Sequence, residues 1–302
     1  MLYHHFLSHF FDYYFVFSYN KNIAEIGGSL GAIFPTLKNV ATKQPNFYMT
    51  FYSCTNLTKG PDMRAVRIIG EASCQEMFST CSNLQETVDM PNLTMVEYRG
   101  CYKMYLKDYK LQVVHDYPSL VKIQEEGGYY MFSNCTTLVN APSMPNLMTV
   151  QKNGCAGMYS GCKALKNVPH LTAQTILQNG YYQMFNGCTA LETAPSILAT
   201  EITEPNALQE MYQGCSALKF IEVYFTEWNE NVPTLNWTKS VPVNTNYVFS
   251  APCTLPDKRN NGSDYSYIPQ KWKFVCFSQD CTDVEATLEE NEPICEDPKN
   301  GE

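Results

Sequence analysis

The stretch YYQMFNGCTALETAPSI, residues 181–197, decides the fold because its centre recurs along the chain. In MFNGCTAL, starting at Met184, an aromatic residue follows the Met, a Cys comes three residues later and a Leu three beyond that. The block reads TFYSCTNL from Thr50, MFSTCSNL from Met77, MYLKDYKL from Met104 and MFSNCTTL from Met131. It reads MYSGCKAL from Met158 and MYQGCSAL from Met211. Successive starts lie 27, 27, 27, 27, 26 and 27 residues apart. A fixed period in this range is the mark of a solenoid, whose repeats touch only their neighbours. Such an array presents a long surface and does not by default enclose a catalytic pocket.

Equivalent residues of a solenoid stack from coil to coil, so each conserved position becomes a ladder. The aromatic ladder is Phe51, Phe78, Tyr105, Phe132, Tyr159, Phe185 and Tyr212. The thiol ladder is Cys54, Cys81, Cys135, Cys162, Cys188 and Cys215, with Asp108 in the third coil. Leu57, Leu84, Leu111, Leu138, Leu165, Leu191 and Leu218 form a leucine ladder. A fourth column holds Met63, Met90, Tyr117, Met144, Leu171, Ile197 and Tyr224. Within a coil, Leu165-Lys-Asn-Val168-Pro-His-Leu171 predicts a short strand closed by a turn. Gly100, Gly127, Gly154 and Gly180, just ahead of the next block, predict a turn with positive φ. The Met-aromatic segment predicts a helical or 3₁₀ turn on the opposite side. The fold class is therefore an α/β repeat solenoid of about seven 27-residue coils with short parallel strands.

The net charge of −9 is misleading. Residues 280–302 hold nine acids against Lys299 alone, so this tail carries −8 and the rest is nearly neutral. No basic stripe exists to neutralise phosphates, which argues against nucleic acid as a partner. The tail, residues 277–302, reads as a solvated, disordered end. The aromatic N-terminus, MLYHHFLSHFFDYYFVFSYNKN, lacks the basic start of a signal peptide, and Asp12 interrupts its apolar run. It reads as a capping segment or a mis-set start, with atypical export or anchoring as the alternative. No other stretch is apolar enough to span a bilayer.

Thirteen cysteines raise the question of metal or disulfides. No pair of C-x₂-C motifs with zinc spacing is present. Six cysteines occupy one ladder position, and Cys74, Cys101 and Cys155 sit three residues before a Met, so these nine read as buried free thiols. Cys276, Cys281 and Cys295 lie outside the ladder, and a Cys276–Cys281 bridge is expected if the protein is exported. The histidines do not cluster: His4, His5 and His9 lie in the leader, and His115 and His170 fall near strand edges. No nucleophile elbow, zincin helix, P-loop or dinucleotide fingerprint occurs, so the chain reads as non-enzymatic, with no cofactor. One column, Asp62, Asp89 and Asp116, is a candidate cation site, since carboxylates one coil apart repel and Ca²⁺ would relieve them. The alternative is three solvated strand ends.

The blocks MFSNCTTL, MYSGCKAL and YYQMFNGCTALETAPSI resemble the BspA-type leucine-rich repeats of bacterial surface proteins. Residues 220–256 and the segment YIPQKWKFV resemble the end-cap of such arrays in gut Bacteroidales and their phages, with Ile268, Pro269 and Trp272 as the closing motif. The resemblance covers about residues 45–276. Thr50 in place of Met, and Asp108 in place of Cys without the preceding Gly, depart from the pattern. It implies a leucine-rich-repeat solenoid over 41–219, a small C-terminal β cap over 220–276, and a leader over 1–40 in which Leu30–Ile33 and Pro35 form a worn half-coil. It also implies a recognition or adhesion module on a phage virion or bacterial surface, whose partner is a cell-surface protein or glycan. The variable column Thr58, Gln85, Gln112, Val139, Lys166, Glu192 and Lys219 suits a face open to retuning. The missing signal peptide and the thiol ladder favour the virion. A structural spacer or assembly subunit is the alternative, and exposed aromatics concentrated on one face would distinguish the binding module from it.

Overall fold

The computed structural model describes residues 16–26, 39–40 and 47–278. The His-rich leader, the half-coil around Leu30–Pro35 and the acidic tail from residue 279 lie outside them. The chain winds as a β-solenoid. Strands β1 (Asn39–Val40), β2 (Ile68–Ile69), β3 (Met95–Val96), β4 (Lys122–Ile123), β5 (Thr149–Val150) and β6 (Thr175–Ile176) pair in sequence order. All five pairings are parallel, as in Lys122↔Thr149, one coil apart. β-Branched residues suit these half-buried positions, and Ile69, Val96, Ile123, Val150 and Ile176 point into the core. The segment expected to be a strand, Leu165–Leu171, forms only isolated bridges, Asn140↔Asn167 and Leu171↔Ile197. The sheet comes later in each coil. The 26-residue step, Thr149↔Thr175, takes up its missing residue between Leu171 and Ile176, at the corner before the strand.

The α/β expectation fails on the opposite side, because no helix occurs among the described residues. The Met-aromatic segment is a ribbon of successive turns. From Ser73 to Cys81, alternate N–H groups donate three residues back within the coil: Ser73 to Gly70, Gln75 to Ala72, Met77 to Cys74, Ser79 to Glu76 and Cys81 to Phe78. The intervening N–H groups leave the coil: Ala72 donates to Tyr98, Cys74 to Gly100, Glu76 to Tyr102, Phe78 to Met104 and Thr80 to Leu106. Ala72, Glu76 and Thr80 carry φ of 50°, 52° and 62°, and this four-residue rhythm repeats in every following coil. A left-handed residue every fourth position prevents a helix from propagating and turns half of the backbone donors outward. Each such non-glycine residue costs about 1–2 kcal/mol. Asn, which tolerates this conformation, fills it at Asn134, Asn153, Asn179, Asn206 and Asn236, and glycine fills it at Gly161, Gly187 and Gly214.

Gly100, Gly127, Gly154 and Gly180 do not have the positive φ expected of them; the preceding Arg99, Glu126, Asn153 and Asn179 do. These glycines permit close approach instead. A Cβ on Gly127 would lie 2.9 Å from Ile123 Cγ2 and 3.2 Å from the Glu97 carbonyl oxygen of the adjacent coil.

Three ladders fill the core. Rings from Phe17 through Phe51, Phe78, Tyr105, Phe132, Tyr159 and Phe185 to Tyr212 stack within 9° of parallel, with centroids 5.4–5.9 Å apart. Beside them each ladder thiol donates to the carbonyl of the ring-bearing residue one coil back. Cys81 Sγ lies 3.0 Å from Phe51 O, and Cys162 Sγ 3.1 Å from Phe132 O. The leucine ladder from Leu57 to Leu218 is buried throughout.

At the C-terminal end the winding continues in parallel through β7 (Phe220–Glu222), β8 (Val248–Pro252) and β9 (Lys273–Phe277). Another turn ribbon accompanies it, since Leu208, Glu210, Tyr212 and Gly214 donate to Pro233, Leu235, Trp237 and Lys239. Trp237 enters the aromatic ladder tilted by 49°. Trp228 meets it edge-on, as does Phe249, and this change of geometry ends the stack. Trp237 and Trp272 donate to the Tyr267 and Pro242 carbonyls, at 3.0 and 2.7 Å.

Asp108 is the flaw in the thiol ladder. It is fully buried, and its carboxyl oxygens make no hydrogen bond of normal geometry, although the nearby Cys81 backbone partly offsets the burial. Burial holds its pKa well above the ordinary carboxyl range, so the folded chain keeps a proton that the unfolded chain releases near pH 4. Stability is therefore greatest below that pH and declines as pH rises toward the folded pKa, by up to ~1.4 kcal/mol per unit from this group. Asp108→Cys is expected to restore the thiol–carbonyl bond, to raise stability at pH 7 by about 1–3 kcal/mol and to remove this slope. Urea denaturation of both proteins from pH 4 to 8 measures it; equal slopes would refute a buried neutral acid.

Candidate functional site

The ribbon that stacks inward on its aromatic ladder turns other columns outward. The two residues before each Met position are Gln75–Glu76, Tyr102–Lys103, Tyr129–Tyr130, Ala156–Gly157, Tyr182–Gln183 and Gln209–Glu210, of which only Ala156 and Gly157 are buried. Tyr98 and Arg99 flank the second pair. Half-buried tyrosines gather here. The rings of Tyr102 and Tyr129 stack at 5.1 Å and 7°. Arg99 lies over the rings of Tyr98 and Tyr102, at 5.1 and 5.3 Å, and Lys103 lies 4.8 Å from the Tyr102 centroid. Arg99 Nε also donates to Glu126 Oε2 at 2.6 Å. Tyr130 meets Tyr129 edge-on and runs across the next coil over Gly157, where a Cβ would fall 2.5 Å from its ring. Its hydroxyl donates to Gln183 Oε1 at 3.1 Å, two coils on, and Gln183 Nε2 donates to Glu210 Oε2 at 2.7 Å. Burial pushes the Tyr130 phenol up to about 12 and also raises Tyr129 and Tyr182, so these hydroxyls stay protonated as hydrogen-bond donors at neutral pH.

The aspartate column lies on another face, along the corner that follows the leucine ladder. A groove of about 490 Å³ there is lined by Glu25, Lys59, Asp62, Arg64, Glu86, Asp89 and His115 among others. The column does not assemble as a cation site. Asp62 pairs with Arg64 at 2.8 Å, and that hydrogen bond lowers its pKa. Asp116 accepts from the Ser143 N–H at 2.7 Å. Among the described residues no three His, Cys, Asp or Glu side chains gather in a metal-binding arrangement. His115 bonds Glu86 at 2.8 Å. His170 lines a second, separate groove of about 520 Å³ on the same corner. The variable column from Gln85 to Lys219 is exposed beside these grooves, and Lys219 and Glu192 pair across it at 2.9 Å.

Nine thiols, those of the ladder and of Cys74, Cys101 and Cys155, are free and buried. Burial pushes Cys162 and Cys215 up to about 12. The expected Cys276–Cys281 bridge is replaced: Cys276 bonds Cys253, whose Cα is 4.7 Å away across the β8–β9 edge. The sequence pairing considered only near neighbours after the array, whereas the coil brings residue 253 alongside. Cys281 and Cys295 lie outside the described residues. No described helix is long and apolar enough to cross a membrane.

No protein-family model and no curated protein matches the chain. Among solved structures, a leucine-rich repeat protein from Bacteroides ovatus aligns at 16% identity over 76% of this chain and 77% of that one, with a TM-score of 0.26. An overlay that loose carries no argument, and the β-solenoid rests on the pairing and hydrogen bonds above.

The tyrosine face escaped the sequence reading because its columns precede the Met position and are interrupted by Gln75, Ala156 and Gln209. The signal was there as a tyrosine recurring two residues before Met104, Met131 and Met184. For the thiols, native alkylation followed by peptide mass spectrometry is expected to leave all nine buried cysteines unmodified, because thiol and carbonyl are packed away from solvent. Reduction without unfolding should expose Cys253 and Cys276 alone among the described cysteines. Native labelling of Cys135 or Cys188 would contradict the closed core.

Proposed function

We propose that this chain is a non-enzymatic recognition module that binds a cell-surface partner through the ribbon side of its solenoid, on a phage virion or a bacterial surface. The observation that carries this is the concentration of half-buried tyrosines on the ribbon. Tyr98, Tyr102, Tyr129, Tyr130 and Tyr182 span four consecutive coils there. Outward residues of the strand side, Ile68, Met95, Lys122, Thr149 and Thr175, include no aromatic. Tyrosine supplies a large, rigid, amphipathic contact at low entropic cost, the chemistry of binding faces. A spacer needs no such asymmetry around its circumference. The absence of catalysis is supported by the shape of the corner grooves, which are open to solvent rather than enclosed. The surface location is supported by the exposed Cys253–Cys276 bond, since such bonds persist in oxidising surroundings. The resemblance of the repeat blocks to surface proteins of gut Bacteroidales selects the cells to try.

Fluorescently labelled protein is expected to bind intact gut Bacteroidales cells saturably. The Tyr102→Ala/Tyr129→Ala double variant should weaken binding tenfold or more with its melting temperature within a few degrees of the parent. Binding that survives this change unaltered would refute the tyrosine face, and an absence of binding to any cell, with the protein instead assembling into ordered polymers, would favour the spacer.

A further inference from the structure

We infer that the tyrosine face holds an extended neutral glycan, a chain of β-linked hexoses laid along the solenoid axis. The inference rests on the ribbon being the binding face, as proposed above, and names what it binds. The first reason is periodicity. Tyr102 and Tyr129 repeat at 5.1 Å, the step from one coil to the next. An extended β-linked sugar chain advances by nearly the same step, so two successive units meet Tyr102 and Tyr129 in similar surroundings, and the same column carries Tyr182 two coils beyond Tyr129, past Ala156. The Tyr130 side chain lies along that direction, tied to Gln183 two coils away.

The second reason is chemical. Each hexose presents both C–H surface and hydroxyls, and phenol rings beside amides match both at once. The third is charge. Arg99 is paired with Glu126 and Lys152 with Glu125. Lys103 lies against the Tyr102 ring. With Glu76 and Glu210 adding negative charge in the same columns, the face offers no cation-rich field for an acidic polymer. The fourth bears on a protein partner. Tyrosine and arginine suit a protein interface too, but the exposed aliphatics Val113, Val121, Val139 and Met148 lie outside these columns, so the ribbon lacks the more apolar centre such an interface buries.

From Tyr102 to Tyr182 the face covers four coils, three steps of about 4.8 Å, so about four sugar units would have one coil each. Titration calorimetry with cello- and manno-oligosaccharides of two to six units, alongside gel retardation on barley β-glucan and galactomannan, tests this on the full chain. At least one neutral series is expected to bind, with affinity rising tenfold or more from dimer to tetramer and then levelling. Tyr130→Ala and Tyr102→Ala/Tyr129→Ala should abolish retardation with melting temperatures within a few degrees of the parent. Binding only to alginate or polygalacturonate would overturn the inference, as would oligosaccharide binding that the tyrosine variants leave intact. Cell binding that depends on the tyrosines but is destroyed by protease and resists periodate would overturn the glycan and leave the binding face standing. Cell binding indifferent to the tyrosines would overturn both.

Discussion

Every second backbone N–H of the turn ribbon leaves its own coil and bonds the next, and the rest of the molecule depends on that division. A helix satisfies its backbone internally and packs through side chains alone. Here the backbone itself is shared between coils, so a single coil is left with unpaired donors and has no independent existence. The shared bonds fix the axial step, and the step makes the aromatic rings stack within a few degrees of parallel. It also carries each thiol to the carbonyl one coil back. The side-chain ladders follow from the backbone division.

What the sequence made legible follows from the same hierarchy. A 27-residue period in Phe or Tyr, Cys and Leu reports core positions directly, because those three columns are buried in every coil. The ladders and the parallel strand order could therefore be read. Local conformation could not. The ribbon has the apolar spacing of a helical turn, and only backbone geometry reveals left-handed residues at Ala72, Glu76 and Thr80, side chains with no preference for that region. The glycines ahead of each block misled for a related reason, since glycine marks close approach as readily as positive φ. The disulfide was missed because Cys253 and Cys276 are neighbours only once the last coil is wound.

The surface divides by chemistry around the circumference. The ribbon side carries tyrosines and amides, the corner grooves carry acids, histidines and prolines, and the strand side carries short polar and aliphatic residues. These faces are independent because outward columns contribute nothing to the ladders. The aromatic core also has a defined end: Trp237 tilts, Trp228 turns edge-on, and the stack cannot continue into another molecule from that side.

The coil that is one residue short takes up the loss between Leu171 and Ile176, away from the ribbon. Phe185 still lies flat on Tyr159, and Cys188 still reaches the Tyr159 carbonyl. That corner is thus a slack joint in an otherwise geared assembly. Residues lost or gained there alter the perimeter of one winding without shifting the phase of the columns on the far side. A lineage can therefore remodel this edge, or a protein engineer graft a loop into it, while the pitch that sets the spacing of the tyrosines stays as it is.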